Sequence, residues 1–257
     1  MAVAFTTEGS LGFITLDHPP ANSYDKAFMT EFSSAVDSAI GSSEVRVVIV
    51  QSANPKFFSA GADIKVFTEG NIDANMEMIR ISQDAFRRMA SAQQLFIAYI
   101  AGHALGGGLE IALACDIRVA KKDKYYLGLP EVKLGLLPGN GGTQRLTRLV
   151  GPSRAMELLV TGRRYGVEEA QAMGLVAQVF DGDDAEGQAR QYAEDLAAGA
   201  VVAIAAIKRC VHEGGQLPLE EGLALEASQM QMLFGTMDAV EGLQAFVDKR
   251  PAEFVGA

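Results

Sequence analysis

Two apolar runs, Val45-Arg-Val-Val-Ile-Val-Gln51 and Leu95-Phe-Ile-Ala-Tyr-Ile-Ala101, each deliver the chain into a glycine-containing loop and then into a helix. A strand that is apolar on both sides has to be buried on both faces, and such strands belong to sheets covered by helices. This narrows the fold to the α/β class. Phe5-Thr-Thr and Leu11-Gly-Phe-Ile-Thr-Leu16 flank Glu8-Gly9-Ser10, which reads as an opening hairpin. Phe28, Phe32, Val36 and Ile40 recur every four residues and predict a helix closed by Gly41. A second helix is expected from about Asp73 to Ala92, with Met76, Ile79, Phe86 and Met89 on one side. Short strands at 117–120 and around 125–127 follow, then helices over 143–150, 153–160 and 167–173, and a last strand over 175–180. Beyond Asp184 the pattern is helical only, with a turn at Gly214-Gly215 and a final helix near 239–249. Periodicity leaves open whether the sheet is doubly wound or a coil of ββα turns. With no low-complexity tract or Pro/Ser linker, one continuous fold is expected.

Composition excludes several functions. Of 257 residues, 49% are apolar, enough for a sizeable core, and no apolar run approaches the roughly 20 residues of a bilayer span. Met1-Ala-Val-Ala-Phe-Thr-Thr-Glu has neither a basic n-region nor a long apolar stretch, so a cytoplasmic protein, or a mature form without its leader, is expected. A formal net charge of −10 argues against nonspecific nucleic-acid binding, which depends on neutralising phosphates with Lys and Arg. Cys115 and Cys210 form no CxxC pair, and His18, His103 and His212 have no HxxxH or HExxH spacing, so neither a disulfide framework nor a metal site is expected.

The chemistry points to Gly106-Gly-Gly-Leu-Glu-Ile-Ala-Leu-Ala-Cys-Asp116. Glycines after a strand let the backbone approach a ligand without a Cβ, and the helix that follows begins with N–H groups lacking intrahelical partners. Such donors suit a developing oxyanion. Glu110 lies in the first turn of that helix within an apolar segment, where burial raises a carboxyl pKa and the helix N-terminus lowers it. Taken alone, it is also what a glutamate complementing the helix dipole looks like. Glu131 follows Pro130 in a similar apolar, glycine-bearing setting twenty-one residues later, so a strand-and-turn excursion can return it beside Glu110. Ser59-Ala-Gly-Ala-Asp63 and Gly139-Asn-Gly-Gly142 are each weak signals alone. No Walker ending, GxGxxG or GxSxG occurs, which disfavours nucleotide folds and α/β-hydrolases.

Taken together, three segments resemble the crotonase (enoyl-CoA hydratase/isomerase) superfamily. They are Phe58-Ser-Ala-Gly-Ala-Asp-Ile-Lys65, Ile100-Ala-Gly-His-Ala-Leu-Gly-Gly-Gly-Leu-Glu110, and Leu129-Pro-Glu-Val-Lys-Leu-Gly-Leu-Leu-Pro-Gly-Asn-Gly-Gly-Thr-Gln-Arg-Leu146. The tail Glu241-Gly-Leu-Gln-Ala-Phe-Val-Asp-Lys-Arg250 also fits, so the likeness covers nearly the whole chain. It implies repeated ββα units forming a spiral core over residues 1–198, with a helical trimerisation region over 199–257. It implies an enoyl-CoA hydratase acting on an acyl-CoA thioester, with coenzyme A part of the substrate and no separate cofactor, in a homotrimer or homohexamer. Glu110 and Glu131 match the catalytic carboxylates, and Ala62 and Gly107 match the backbone donors of an oxyanion hole. Ala60, Asp63, Ile64 and Lys65 match the segment lining the CoA site. Lys56 and Lys249 match basic positions near the CoA phosphates, Lys249 reaching a neighbouring subunit. Because the donors are backbone groups, replacing the side chain at Ala62 or Gly107 is expected to reveal little. The sequence departs from the family at Pro20-Ala-Asn-Ser-Tyr-Asp25, where Asn-Ala-Leu/Met is more usual. A 3-enoyl to 2-enoyl isomerase would need one carboxylate, and an RNA-binding relative would need neither and would favour a basic surface.

Overall fold

The computed structural model describes residues 1–69 and 71–257. Strands β1 (Val3–Glu8) and β2 (Leu11–Leu16) form the expected hairpin. They are followed by the two-residue β3 (Ser23–Tyr24) and helix α1 (Lys26–Gly41). The chain then winds through three similar turns. The first holds β4 (Val47–Ser52), β5 (Phe57–Ser59), β6 (Gly61–Ala62), α2 (Ile64–Glu69) and α3 (Ile72–Ser91). The second holds β7 (Leu95–Ile100), β8 (His103–Leu105) and α4 (Gly107–Ala114). The third holds β9 (Ile117–Lys121), β10 (Leu127–Gly128), a 3-10 turn over Glu131–Leu134 and α5 (Gly142–Val150). Each turn places one strand in a six-stranded sheet of order β1-β2-β4-β7-β9-β11 and one in a three-stranded sheet of order β10-β8-β5. From β2 onward every pairing in both sheets is parallel. Of the two windings that periodicity left open, the chain adopts the coil of ββα units. Helices α6 (Pro152–Thr161) and α7 (Val167–Ala172), the edge strand β11 (Gln178–Phe180) and α8 (Ala185–Ala197) complete the winding. Helices α9 (Val201–His212), α10 (Leu219–Leu233) and α11 (Met237–Asp248) form the tail. No helix among the described residues is long and apolar enough to cross a membrane.

Alternation along the central strands divides the core. Ile14, Leu16, Val48, Val50, Phe96, Ala98 and Ile100 face α1, α3 and α4, while Leu11, Phe13, Val47, Ile49, Leu95, Ile97 and Tyr99 face the other side. That second face is covered by α8 through Ala189, Ala193 and Ala197, whose small side chains let the helix lie close. Each fully buried aliphatic side chain contributes about 1.5–3 kcal/mol.

Three local expectations shift. The buried stripe of α3 runs through Met78, Ser82, Ala85, Phe86 and Met89. Met76 is 45% exposed, and in the first half of the helix only Met78 is buried. Strand β11 begins at Gln178, since Leu175 and Val176 are buried and their N–H groups bond back to the Ala170 carbonyl. Tyr125 is buried outside any strand, its hydroxyl 2.7 Å from both the Ile100 and the Lys121 carbonyl oxygens, and the β10 pairing starts at Leu127 opposite Ala104.

A buried ion cluster ties the tail to the sheet. Lys208 Nζ on α9 bonds the Met89 and Gln94 carbonyls at 2.6 and 2.7 Å and lies 2.9 Å from Asp116 Oδ2. The same carboxylate accepts from Phe96 N at 2.7 Å and lies 2.7 Å from His212 Nε2.

Candidate active site

The turn from β8 into α4 carries the site. Gly106 caps α4 at φ 54 and ψ −133, a backbone conformation strained for any residue with a Cβ. All eight residues of α4 are buried, Glu110 included at 2% exposure. Its Oε1 accepts from the amides of Asn140 and Gly142, each at 2.7 Å, so the loop Gly139–Gly142 clamps the carboxylate. Burial raises its pKa to about 7, against the pull of those two amides and of the Arg145 guanidinium.

Glu131 opens the 3-10 turn after β10. Strand β10 pairs with β8, and this register returns Glu131 to the glycine turn: its Oε1 lies 3.1 Å from where a Cβ on Gly106 would stand. Its Oε2 is buried without a hydrogen-bond partner. Burial, then the negative charge of Glu110, lift its pKa to about 7. Two acids with ordinary values near 4.5 are therefore poised to hold and release protons near neutrality.

The two expected backbone donors lie on segments that meet near this turn. The N–H of Gly107 starts α4 and lacks an intrahelical partner. It lies 3.1 Å from the position of a Cβ on Gly61, the residue before Ala62. Ala62 pairs with Tyr24 in the β3–β6 ladder. The Tyr24 carbonyl accepts from Asp63 N at 2.9 Å, which turns the Ala62 N–H away from that ladder.

The remaining candidates divide. Ala60 donates to the Ala21 carbonyl, Asp63 Oδ1 accepts from Lys65 N, and Ile64 and Lys65 project from the start of α2, so this run borders the turn. Lys56 immediately precedes the adjacent β5, its carbonyl accepting from His103 N and its ammonium over the Phe57 ring. Lys249 stands apart: it ends α11 at φ 56 and is exposed. His103 packs between the tilted ring of Phe57 and the stacked ring of Tyr126, with Nδ1 accepting from Tyr126 N.

Sequence reasoning missed Asn140, Arg145 and Tyr24 as members of the site. The first two lie in a glycine-rich segment that, read alone, resembles a phosphate loop, whereas its amides hold a carboxylate. Tyr24 lies in the departing segment Pro20–Asp25, and that departure is the signal that points to it. Its hydroxyl occupies the space of any Cβ on Gly107, which would fall 1.6 Å from it. This corrects the expectation that a side chain at residue 107 tests little.

An α/β coil with paired buried carboxylates around a glycine turn defines a class of site rather than a particular reaction. A model described as enoyl-CoA hydratase/isomerase matches residues 6–257, and the chain belongs to that family, with the crotonase fold. A probable enoyl-CoA hydratase of Bacillus subtilis (strain 168) is 38% identical over 259 residues, covering 99% of both chains. A short-chain-enoyl-CoA hydratase of Clostridium acetobutylicum is 35% identical, covering 98% of this chain and 96% of its own. The crystal structure of an enoyl-CoA hydratase from Geobacillus kaustophilus HTA426 superposes with a TM-score of 0.96 at 39% identity, covering 100% of this chain and 97% of its own.

Proposed function

We propose that the chain is an enoyl-CoA hydratase, adding water reversibly across a 2-enoyl-CoA to give a 3-hydroxyacyl-CoA. The observation that carries this reading is the pair of buried carboxyls at Glu110 and Glu131, both lifted to about 7, around the Gly106–Gly107 turn. Glu110, held by two amides, starts ionised and takes a proton from the attacking water as its oxygen bonds to C3. Glu131, kept protonated by burial and by the charge on Glu110, gives its proton to C2. The electron pair leaving the double bond passes through an enolate whose oxygen sits between the N–H groups of Ala62 and Gly107. Each such donor contributes roughly 3–4 kcal/mol in the transition state. No proton is gained or lost overall, and the reaction needs no cofactor beyond the coenzyme A of its substrate.

Ala60, Asp63, Ile64 and Lys65 line the CoA portion, and Lys56 offers charge to its phosphates. Helices α9 to α11 expose Ile207, Val211, Leu243, Phe246 and Val247, each more than 60% accessible. Large apolar side chains exposed in this number favour an oligomer joined through the tail. A trimer, or a hexamer of two, brings Lys249 to a neighbour's CoA.

An isomerase needs one proton-shuttling carboxylate, and the second buried acid favours hydration. Crotonyl-CoA incubated with the protein is expected to lose its enoyl absorbance. Conversion of a 3-enoyl-CoA without hydration of crotonyl-CoA would overturn this assignment in favour of isomerisation.

A further inference from the structure

Tyr24 is the polar side chain in the site that the two-carboxylate reaction leaves without a task. Its position is built from both ends. Next to it, Asn22 is buried at φ 50, and its side chain donates to Ser52 Oγ and the Phe58 carbonyl and accepts from His18 N. The backbone of Tyr24 pairs with Ala62, and its ring packs against Phe28 with centroids 6.1 Å apart. The phenol oxygen accepts from Asn140 Nδ2 at 2.8 Å, on the residue whose amide holds Glu110. One residue thus links, through backbone and side chain, the two amides placed around the thioester oxygen.

A phenol that accepts from Asn140 directs its own proton elsewhere, and among the described residues that proton has no acceptor within hydrogen-bond distance. Asn140 Oδ1 and Glu131 Oε2 are also buried without partners. Unpaired buried polar groups gathered at one turn are costly unless a ligand satisfies them. Tyr24 keeps its proton: complete burial, and the nearby carboxylates of Glu110 and Glu131, hold the phenol well above its usual range. Gly107 is glycine for a matching reason, since any Cβ there would collide with this hydroxyl.

We propose that the Tyr24 hydroxyl is a third hydrogen-bond donor to the thioester oxygen, making with the N–H groups of Ala62 and Gly107 a three-donor enolate site. This rests on the reading of the cleft as a CoA-thioester site. A neutral phenol suits the task because it strengthens its bond as charge develops and needs no reorganisation.

The test uses acetoacetyl-CoA, a thioester whose enolate absorbs in the ultraviolet and which has no double bond to hydrate. Its enolate fraction is followed against pH when bound to the full-length wild-type protein, Tyr24→Phe and Tyr24→Leu. Glu110, Glu131 and Arg145 face this space in all three proteins, so their titration is common to them. The wild type is expected to favour the bound enolate, and Tyr24→Phe to hold about tenfold less at a given pH, one unit of apparent pKa. Hydration of crotonyl-CoA by Tyr24→Phe is expected to fall about 100-fold in kcat with a much smaller change in KM. Tyr24→Leu is expected to recover neither.

An unchanged enolate titration in Tyr24→Phe would overturn the proposal even if kcat falls, since the hydroxyl would then be serving the water or Glu131. Near wild-type values in Tyr24→Leu would also overturn it, leaving the ring as a volume filler. If the wild type itself fails to bind or enolise acetoacetyl-CoA, the CoA-thioester reading fails and takes the Tyr24 assignment with it.

Discussion

Helix α4 has a buried acid at each end, and the two are treated in opposite ways. Asp116, just past the C-terminus, meets the ammonium of Lys208, the imidazole of His212 and the amide of Phe96, all within 3 Å. Glu110, in the first turn, receives two neutral amides, and the cation that acts on it, Arg145, does so without an ion pair. A buried charge with a full set of partners is structural, because removing one partner strands the other. A buried carboxyl denied a cation has its proton equilibrium moved toward neutrality, which serves proton transfer and costs stability. Glu131, unpaired at Oε2 and beside Glu110, belongs with the second kind.

The contrast is broken most decisively by activity. Glu110→Gln and Glu131→Gln preserve size and hydrogen-bonding shape, and each is expected to lower hydration turnover by about 10²–10⁴, while CoA-thioester binding survives. Turnover close to wild type in either variant would remove the distinction. At the other end of the helix, Lys208→Met strands Asp116 and is expected to cost about 3–5 kcal/mol of unfolding free energy. Urea titration reads this loss, and kcat at a temperature where the variant is folded should remain within a few-fold of wild type.

The sign of pH dependence sharpens the comparison further. Glu110 titrates near 7 in the folded chain and near 4.5 when exposed, so the folded state holds this proton more tightly between those values. Stability is therefore lost as pH rises from about 4.5 to 7, by up to roughly 3 kcal/mol for this group. Glu110→Gln is expected to be more stable than wild type at pH 8 and to lose that advantage near pH 4.5, as read by unfolding midpoints. The smallest effect is kinetic: kcat/KM should be bell-shaped around neutrality, falling tenfold per pH unit on each limb, with apparent values belonging to the pair. A profile flat from pH 5 to 9 would contradict paired acid and base roles.

Much of this was legible in the order of residues. The strands of the central sheet, the glycine turn and the helix behind it follow from continuous apolar runs, the 3.6-residue period and glycine placement, all properties of neighbours a few residues apart, whereas the two glutamates were singled out as a pair by the family resemblance. Misjudged boundaries such as the start of β11 were decided by contacts these patterns do not contain, here the return of Leu175 to Ala170. The stripe of α3 erred for a related reason, because an amphipathic pattern cannot say which turns of a helix its neighbours α1, α4 and α9 cover.

The sequence by itself determined the α/β class and the residue types at the turn, while the choice between an open sheet and a coil of ββα units was left to the tertiary structure. Tertiary structure alone decided which of them meet. Glu131 reaches the turn because β10 pairs with β8, and the clamp on Glu110 closes across 30 and 32 residues. Tyr24 and Asn140 join hands across 116 residues, farther than any periodic signal extends. Such contacts depend on strand register and on the burial that excludes water. The raised pKa values exist only after the chain has closed around the carboxyls and taken away the solvent that would otherwise stabilise their charge.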